Sequence, residues 1–227
     1  MKILGIDTTT EFLALGVSDG DKVYEYNIEL ARRHSCLLVP TIKRILNALD
    51  WKPGDIDYLA CGLGPGSFTG VRIGLSAIKG LSWALKKPIV GISTLDILAN
   101  NAFYEKQFKY IVPIIDAKRN LVYSSIYKRQ GAHLKRKTRY MLLTVYELAK
   151  RIKPDTGILG NACDLYKDWL LRNTKGAYFL DRDYWRLQGR NIVLIAQERV
   201  KHNEIKTAFD IEPIYLYPKE CQIKMIK

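Results

Sequence analysis

The residues best suited to chemistry lie in two segments near the start of the chain. The first, residues 61–74, reads CGLGPGSFTGVRIG and separates a short apolar run from a helical pattern. A glycine-rich turn at such a junction lets backbone N–H groups approach an anion at a helix N-terminus. Its spacing matches neither a P-loop nor a GxGxxG dinucleotide fingerprint. Phosphate binding and a simple tight reversal of the chain therefore both remain open.

The second segment is a turn of one carboxylate and neighbouring hydroxyls that follows the apolar run at residues 3–6. Such a turn can hold hydrated magnesium or phosphate oxygens, and it can equally satisfy its own backbone. ATP or ADP is the ligand we consider here, although nothing in the sequence requires a cofactor. The candidate nucleotide- or phosphate-binding residues are Asp7, Thr8, Thr9, Gly64, Gly66 and Ser67.

Other catalytic arrangements are poorly represented. The three histidines, His34, His133 and His202, form no HExxH motif, and no GxSxG elbow is present. The four cysteines lie far apart without CxxC spacing, which disfavours a zinc cage or a disulfide framework. We therefore predict no catalytic residue and no metal site.

Composition indicates a globular protein. The 227 residues are 48% hydrophobic and 11% aromatic, which excludes disorder as the main state. No run approaches the ~20 apolar residues of a membrane helix, so we expect a cytoplasmic protein in a reducing compartment. The 36 Lys and Arg exceed the 23 Asp and Glu by 13, and this surplus favours polyanionic partners.

The first half of the chain alternates strand and helix patterns around these segments. Strands are predicted at residues 3–7, 12–17, 23–30, 58–63 and 89–92, and helices at 34–49, 69–86 and 94–103. Three strands in a meander followed by alternating helices and strands indicate a mixed sheet with helices on its faces.

The pattern restarts near residue 110. The run at residues 111–116 puts Asp116 in the place of Asp7, and residues 121–127 repeat the second strand. A basic hairpin is predicted in the place of the third strand. Further helices are expected at 144–152, 163–171 and 191–201, with a strand at 157–159. We therefore predict a duplicated α/β protein with an N-terminal lobe, residues 1–105, and a reduced C-terminal lobe, residues 106–227.

The predicted helix at 69–86 is apolar over an unusually wide arc. Its only charged residues, Arg72, Lys79 and Lys86, recur every seven positions and form one narrow stripe. A surface helix normally has a narrower apolar face. One side must pack on the sheet, and the other must meet a second helix, either within the chain or on a partner.

The basic hairpin has two interpretations. Its cations could protect a solvated sheet edge from aggregation, or they could contact nucleic acid. The candidate nucleic-acid-contacting residues are Lys128, Arg129, Lys135, Arg136, Lys137 and Arg139.

The motifs together resemble the TsaB family. The resemblance rests on Asp7-Thr8-Thr9, on the segment from Gly64 to Gly74, and on Asp116-Ala117-Lys118-Arg119-Asn120 followed by Val122-Tyr123. It implies the actin-like ATPase fold shared by sugar kinases, actin and chaperones. It also implies that the chain is a non-catalytic partner subunit of TsaD. TsaD is the enzyme that transfers a threonylcarbamoyl group onto an adenosine beside the tRNA anticodon.

The resemblance carries further expectations about partners and sites. TsaD holds a metal through an HxxxH pair that matches Thr94 and Leu98, so the transfer site looks absent here. A TsaE-type ATPase, tRNA bound through the complex, and a homodimer are further expected partners. The helices at 34–49 and 69–86 would form the dimer face. The expected interface residues are Leu38, Ile42, Ile45, Arg72, Leu75, Ile78, Lys79, Leu81 and Ser82.

Two rival functions use the same residues. One is an independent ATP-binding phosphotransferase or ATPase that uses Asp7 and the glycine segment. The other is a stand-alone tRNA-binding module that uses the basic hairpin.

Overall fold

A computed structural model describes residues 1–29, 34–131 and 133–218, and two mixed sheets organise this part of the chain. In the first sheet, β1 is the central strand, and its apolar residues are accordingly buried on both faces of the sheet. The order is β3-β2-β1-β4-β5, with β1 antiparallel to β2 and parallel to β4. Its strands are β1 (Lys2–Asp7), β2 (Phe12–Asp19), β3 (Lys22–Glu29), β4 (Tyr58–Gly62) and β5 (Ile89–Ile92), and its helices are α1 (His34–Ala48), α2 (Phe68–Leu85) and α3 (Thr94–Ala99).

The second sheet repeats this order. Its main path is β10-β7-β6-β11-β12, so β6 takes the place of β1. Its strands are β6 (Tyr110–Asp116), β7 (Leu121–Ser124), β8 (Tyr127–Gln130), β9 (His133–Arg136), β10 (Met141–Thr144), β11 (Thr156–Leu159) and β12 (Ala177–Phe179), and the remaining helices are α4 (Val145–Ala149), α5 (Cys163–Asn173) and α6 (Gly189–Lys201). Asp7 and Asp116 both end the central strand of a sheet. The predicted α/β class and the duplication of a mixed sheet are confirmed.

The second lobe departs from the prediction at its third strand. The basic hairpin forms, as β8 and β9, but it pairs with the N-terminal end of β6 at Tyr110 and Ile111. The place of the third strand belongs to β10, which pairs with β7. The predicted strand at 121–127 is split in two because the chain leaves β7 after Ser124. Leu30 and Cys221, which the sequence analysis also used, lie outside the described residues.

The last helix, α6, packs on the first sheet although it follows the second in sequence. Its Ile192 and Val193 face Gly5 and Gly16 of β1 and β2. The division of the chain at residue 105 stays a prediction. Within the described residues, no helix combines the length and the apolar character needed to cross a membrane.

Two glycines allow α6 to approach β2 at backbone distance. A Cβ at Gly16 would lie 2.1 Å from the Gly189 carbonyl oxygen, and a Cβ at Gly189 would lie 2.1 Å from that of Leu15. Both obstacles are backbone atoms, which cannot rotate away as a flexible side chain does. Glycine is therefore required on both sides of this contact.

We expect Gly16→Ala to lower the free energy of unfolding by about 1–3 kcal/mol, because the added methyl forces α6 away from the sheet. Urea denaturation checks this. The matched control is Gly54→Ala, since a Cβ at Gly54 meets no atom within 4 Å, and we expect it to change stability by less than about 0.5 kcal/mol. Equal stabilities of the two variants would contradict the packing described.

Candidate functional site

The acidic turn after β1 is buried and fully engaged with protein groups. Asp7 accepts the backbone N–H of Thr9 at Oδ1 (2.7 Å) and the hydroxyl of Thr94 at Oδ2 (2.8 Å). The hydroxyls of Thr9 and Thr94 are themselves 2.9 Å apart. Asp7, Thr8 and Thr9 are all buried. The carboxylate is thus held inside the first lobe by two donors on different elements.

The glycine loop lies directly against this turn. A Cβ at Gly66 would lie 2.5 Å from the carbonyl oxygen of Thr9, and one at Gly70 would lie 2.1 Å from that of Thr8. At Gly74, one turn into α2, a Cβ would lie 2.5 Å from the Thr8 hydroxyl oxygen. Three glycines at four-residue spacing therefore let the start of α2 lie on the acidic turn at backbone distance.

Two N–H groups of the glycine loop and one hydroxyl of the acidic turn already have protein acceptors. The N–H of Ser67 donates to the Thr9 carbonyl (2.7 Å), and that of Gly70 donates to the Ser67 hydroxyl (3.2 Å), which caps α2. The Thr8 hydroxyl donates to the Gly70 carbonyl (2.7 Å). A nucleotide phosphate would have to displace these bonds. Nucleotide binding at Asp7, Gly64 and the neighbouring residues stays a prediction.

The positions matched to the metal-binding histidines have other roles here. Thr94 holds Asp7, as described, and Leu98 is buried in the core. The hydroxyl of Thr94 was not singled out from the sequence, because its partner is 87 residues away. In the described ranges, no three His, Cys, Asp or Glu side chains are grouped as metal ligands. Burial, followed by the charge of Asp7, raises the pKa of the Cys61 thiol, so this thiol stays protonated.

In the second lobe, the turn after β6 contains a lysine that pairs with the carboxylate of that turn. Lys118 donates its backbone N–H to Asp116 Oδ1 (2.8 Å), and its ammonium group pairs with Oδ2. This hydrogen bond and the charge of Asp116 raise the pKa of Lys118. Lys118, Arg119 and Asn120 all have positive φ, a conformation that residues other than glycine seldom adopt. Lys118 therefore balances the charge of Asp116 at the position that corresponds to Asp7.

Part of the expected dimer face is core. Leu38, Ile42, Leu75 and Ile78 are buried between the first sheet and helices α1 and α2, and Ser82 is buried at the C-terminal end of α2. Ile45, Lys79 and Leu81 are half-buried, and Arg72 is exposed. This corrects the choice of residues, because a side chain buried within one chain cannot contact a partner's surface. Helical periodicity identified two apolar sides of α2 without showing which one faces the sheet.

The basic hairpin also requires a correction, at Arg129. Its guanidinium donates to the carbonyls of Ala102, Phe103, Glu105 and Phe108 at 2.8–3.3 Å, so it ties a loop to the sheet and cannot reach a phosphate. Partial burial lowers the pKa of Arg129. Arg136 lies over the Tyr140 ring at 4.0 Å. The cations that remain available are Lys128, Lys135, Lys137 and Arg139.

Comparison with known proteins connects this chain to tRNA modification. A family model described as TsaD, tRNA N6-adenosine threonylcarbamoyltransferase, matches residues 28–169. The tRNA threonylcarbamoyladenosine biosynthesis protein TsaB of Bacillus subtilis (strain 168) is 34% identical over 183 residues, which cover 78% of this chain and 79% of that protein. TsaB of Escherichia coli (strain K12) is 28% identical over 220 residues, covering 95% and 94%.

A solved structure has the same fold. YeaZ from Pseudomonas aeruginosa superposes with a TM-score of 0.81 at 24% identity, and the match covers 94% of this chain and all of that one. At this identity the likeness concerns the fold alone.

The Thr94 hydroxyl provides a test of the buried turn. We expect Thr94→Val to lower the free energy of unfolding by about 1–3 kcal/mol, because Asp7 stays buried while it loses a donor. Urea denaturation at pH 7 measures the change. Thr94→Ser keeps the hydroxyl, so we expect it to retain most of the stability. A serine variant as unstable as the valine variant would contradict the role given to this hydrogen bond.

Proposed function

The chain belongs to the TsaB family, and from this membership we propose that it is a non-catalytic partner subunit of a TsaD-type threonylcarbamoyltransferase. The tRNA threonylcarbamoyladenosine modification named for its relatives is the process in which we propose it acts. Its role is positional: it binds the catalytic subunit through helices α1 and α2. The absence of the matched histidines at Thr94 and Leu98 supports a role without transfer chemistry of its own.

The observation that carries the proposal is an uncharged strip on α2. Ile73, Ser76, Gly80 and Ala84 lie on the side of the helix away from the buried Ile78. A Cβ at Gly80 would meet no atom within 4 Å, so the strip has no neighbour in this chain at that point. Small side chains without charge allow a second helix to approach closely, and apolar burial there would stabilise the contact. We call these four residues the α2 strip.

The neighbouring helix adds exposed apolar side chains. Leu37 and Val39 of α1 are both exposed, Val39 by 62%, and α1 packs beside α2. Leu37 and Val39 are two positions apart and therefore lie on opposite sides of α1. An exposed aliphatic side chain on a helix that packs beside an uncharged strip is typical of an interface core. We propose that this combined surface meets the TsaD-type subunit, and that a homodimer through the same surface is the alternative assembly.

The remaining partners enter the proposal through the complex. A TsaE-type ATPase is proposed to bind the assembled subunits, and tRNA is proposed to contact the hairpin. Lys128 and Lys135 face each other across β8 and β9, and like charges directly opposite each other repel. An anionic phosphate between them would relieve this repulsion, which supports the hairpin as a tRNA contact.

Val39→Glu tests the interface. We expect the variant to bind the TsaD-type subunit at least about tenfold more weakly, because association would bury an unpaired carboxylate. Biolayer interferometry with the purified subunit measures the affinity. The control is Leu165→Glu on α5, since Leu165 is 61% exposed and lies outside α1 and α2. Equal affinities of the two variants would count against the proposed surface.

Gly80→Arg gives a second test on the other helix. The open space at Gly80 lets the variant fold, while the long side chain would block the close approach of a partner helix. The matched control is Gly54→Arg, at a position with the same open space in a turn far from the α2 strip in sequence. We expect loss of co-elution with the TsaD-type subunit only for Gly80→Arg.

A further inference from the structure

A cleft of about 550 Å³ borders the C-terminal end of α2. Residues 82–88 form one wall, and residues 205–210 form the other. Ile89 and Lys206 exchange two backbone hydrogen bonds of 2.8 Å, which fix the second wall to the edge of the first sheet. The Ser82 hydroxyl donates to the Lys87 carbonyl (2.6 Å) and fixes the first wall. Both walls are therefore held in place by the protein itself.

The cleft is lined by two of the most exposed aromatic side chains in the described residues. Trp83 is 72% exposed and Phe209 is 82% exposed. Exposed tryptophan and phenylalanine rings leave a large apolar area in water, which is unfavourable unless a ligand covers it. Flat aromatic surfaces of this kind are platforms on which nucleobases stack, and every base can use them.

The charges around the cleft select an anion. Lys86, Lys87 and Lys206 line it, and in the described part of the chain no carboxylate lies within ion-pair distance of any of them. The one lining acid, Asp210, accepts a hydrogen bond from the Thr207 hydroxyl at 2.5 Å. Lys86 and Lys87 also complement the negative end of the α2 dipole, but Lys206 is not part of that helix. Aromatic rings beside lysines match the bases and phosphates of a single strand.

The cleft borders the proposed partner surface, because helical spacing puts Trp83 about 20° around the axis from Ser76 of the α2 strip. Helical spacing puts Trp83 about 60° around the axis from Gly80, towards Arg72 and Lys79. Arg72, about 16 Å away along the axis, stacks on Phe68 at 3.7 Å and donates to the Tyr215 hydroxyl (3.3 Å). Phe68, Arg72 and Tyr215 thus form a second group of aromatic rings and a cation, on the same side of α2 as Trp83.

We propose that the cleft binds unpaired RNA. A base stacks on Trp83 and Phe209, and Lys86, Lys87 and Lys206 contact the phosphates beside it. In a duplex, the neighbouring bases of each strand cover the faces that would stack on these rings, so a duplex fits this cleft poorly. The inference goes beyond the proposed function, because it assigns RNA binding to this chain alone and requires no partner subunit.

Tryptophan fluorescence gives a direct readout. The chain has four tryptophans; Trp51 and Trp185 are buried, Trp169 is half-buried, and only Trp83 is strongly exposed. A mixed-sequence 10-nucleotide single-stranded RNA, titrated into the full chain at low salt, should quench the emission of Trp83. Trp83→Ala should remove the quenching and weaken RNA binding about 5- to 100-fold, the effect of losing one stacked base.

Two matched controls separate stacking from general effects. Tyr104 is also 72% exposed and lies outside the cleft, so Tyr104→Ala should bind RNA as the wild type does. Lys206→Gln should reduce the slope of log affinity against log salt by about 0.7 for each phosphate that Lys206 neutralises in the wild type. Lys22→Gln, at the exposed turn between β2 and β3, removes the same charge and should leave the slope unchanged.

Four outcomes would overturn the proposal. The first is wild-type RNA affinity in Trp83→Ala, and the second is equal binding of a 12-base-pair RNA duplex. The third is a Trp83→Ala variant that no longer binds the TsaD-type subunit but keeps RNA binding, which would assign Trp83 to the protein interface and leave the proposed function intact. Displacement of the RNA by polyglutamate at equal charge concentration would identify an acidic peptide as the ligand instead.

Discussion

The contact between the acidic turn and the glycine loop determines where α2 lies. Thr8 and Thr9 meet Gly66, Gly70 and Gly74 at distances that no side chain on the glycines would permit. Asp7 fixes the turn to α3, because its carboxylate accepts a hydrogen bond from the hydroxyl of Thr94, the first residue of that helix. Because α2 starts on this contact, the direction of its 18 residues, and therefore of every side chain it presents, follows from the glycine pattern.

This constraint gives α2 three sides with different roles. The side with Val71, Leu75 and Ile78 covers the first sheet and completes its core. The α2 strip, facing away from the sheet, is the surface proposed to meet a partner helix. The side with Arg72 and Trp83 is the one proposed to meet RNA. We therefore propose that a lobe in which the glycine loop packs against the acidic turn serves as a platform for other macromolecules.

Much of the fold could be predicted because it depends on local patterns. Short apolar runs located β1 and β2, and a glycine-rich turn followed by helical periodicity located α2 to within one residue at each end. The placement of the hairpin could not be predicted, since β8 and β10 both satisfy a strand pattern and only long-range pairing decides which of them joins β7. The role of Arg129 could not be predicted for the same reason, because the carbonyl groups that it binds lie 26 and 27 residues away in sequence.

The functional surfaces were predicted only in part, for a related reason. Periodicity showed that α2 has apolar residues on two sides, but burial alone distinguishes Ile78, which faces the sheet, from Gly80 and Ala84, which are exposed. In the sequence, Trp83 is one of many apolar residues of α2, and nothing distinguishes it from the others. Its importance depends on Phe209 and Lys206, which lie more than 120 residues away in sequence and reach the cleft through the bridge to Ile89.

The central claim is that the outer surface of α1 and α2 is covered by a TsaD-type subunit. Cys36 is exposed on α1, whereas Cys61 and Cys163 are buried, and burial raises the pKa of both buried thiols. The most direct measurement is the alkylation rate of Cys36, followed by peptide mass mapping, with and without one equivalent of the TsaD-type protein from the same genome. The account predicts at least a tenfold slower rate in the mixture. An unchanged rate at micromolar concentrations of both proteins would contradict it.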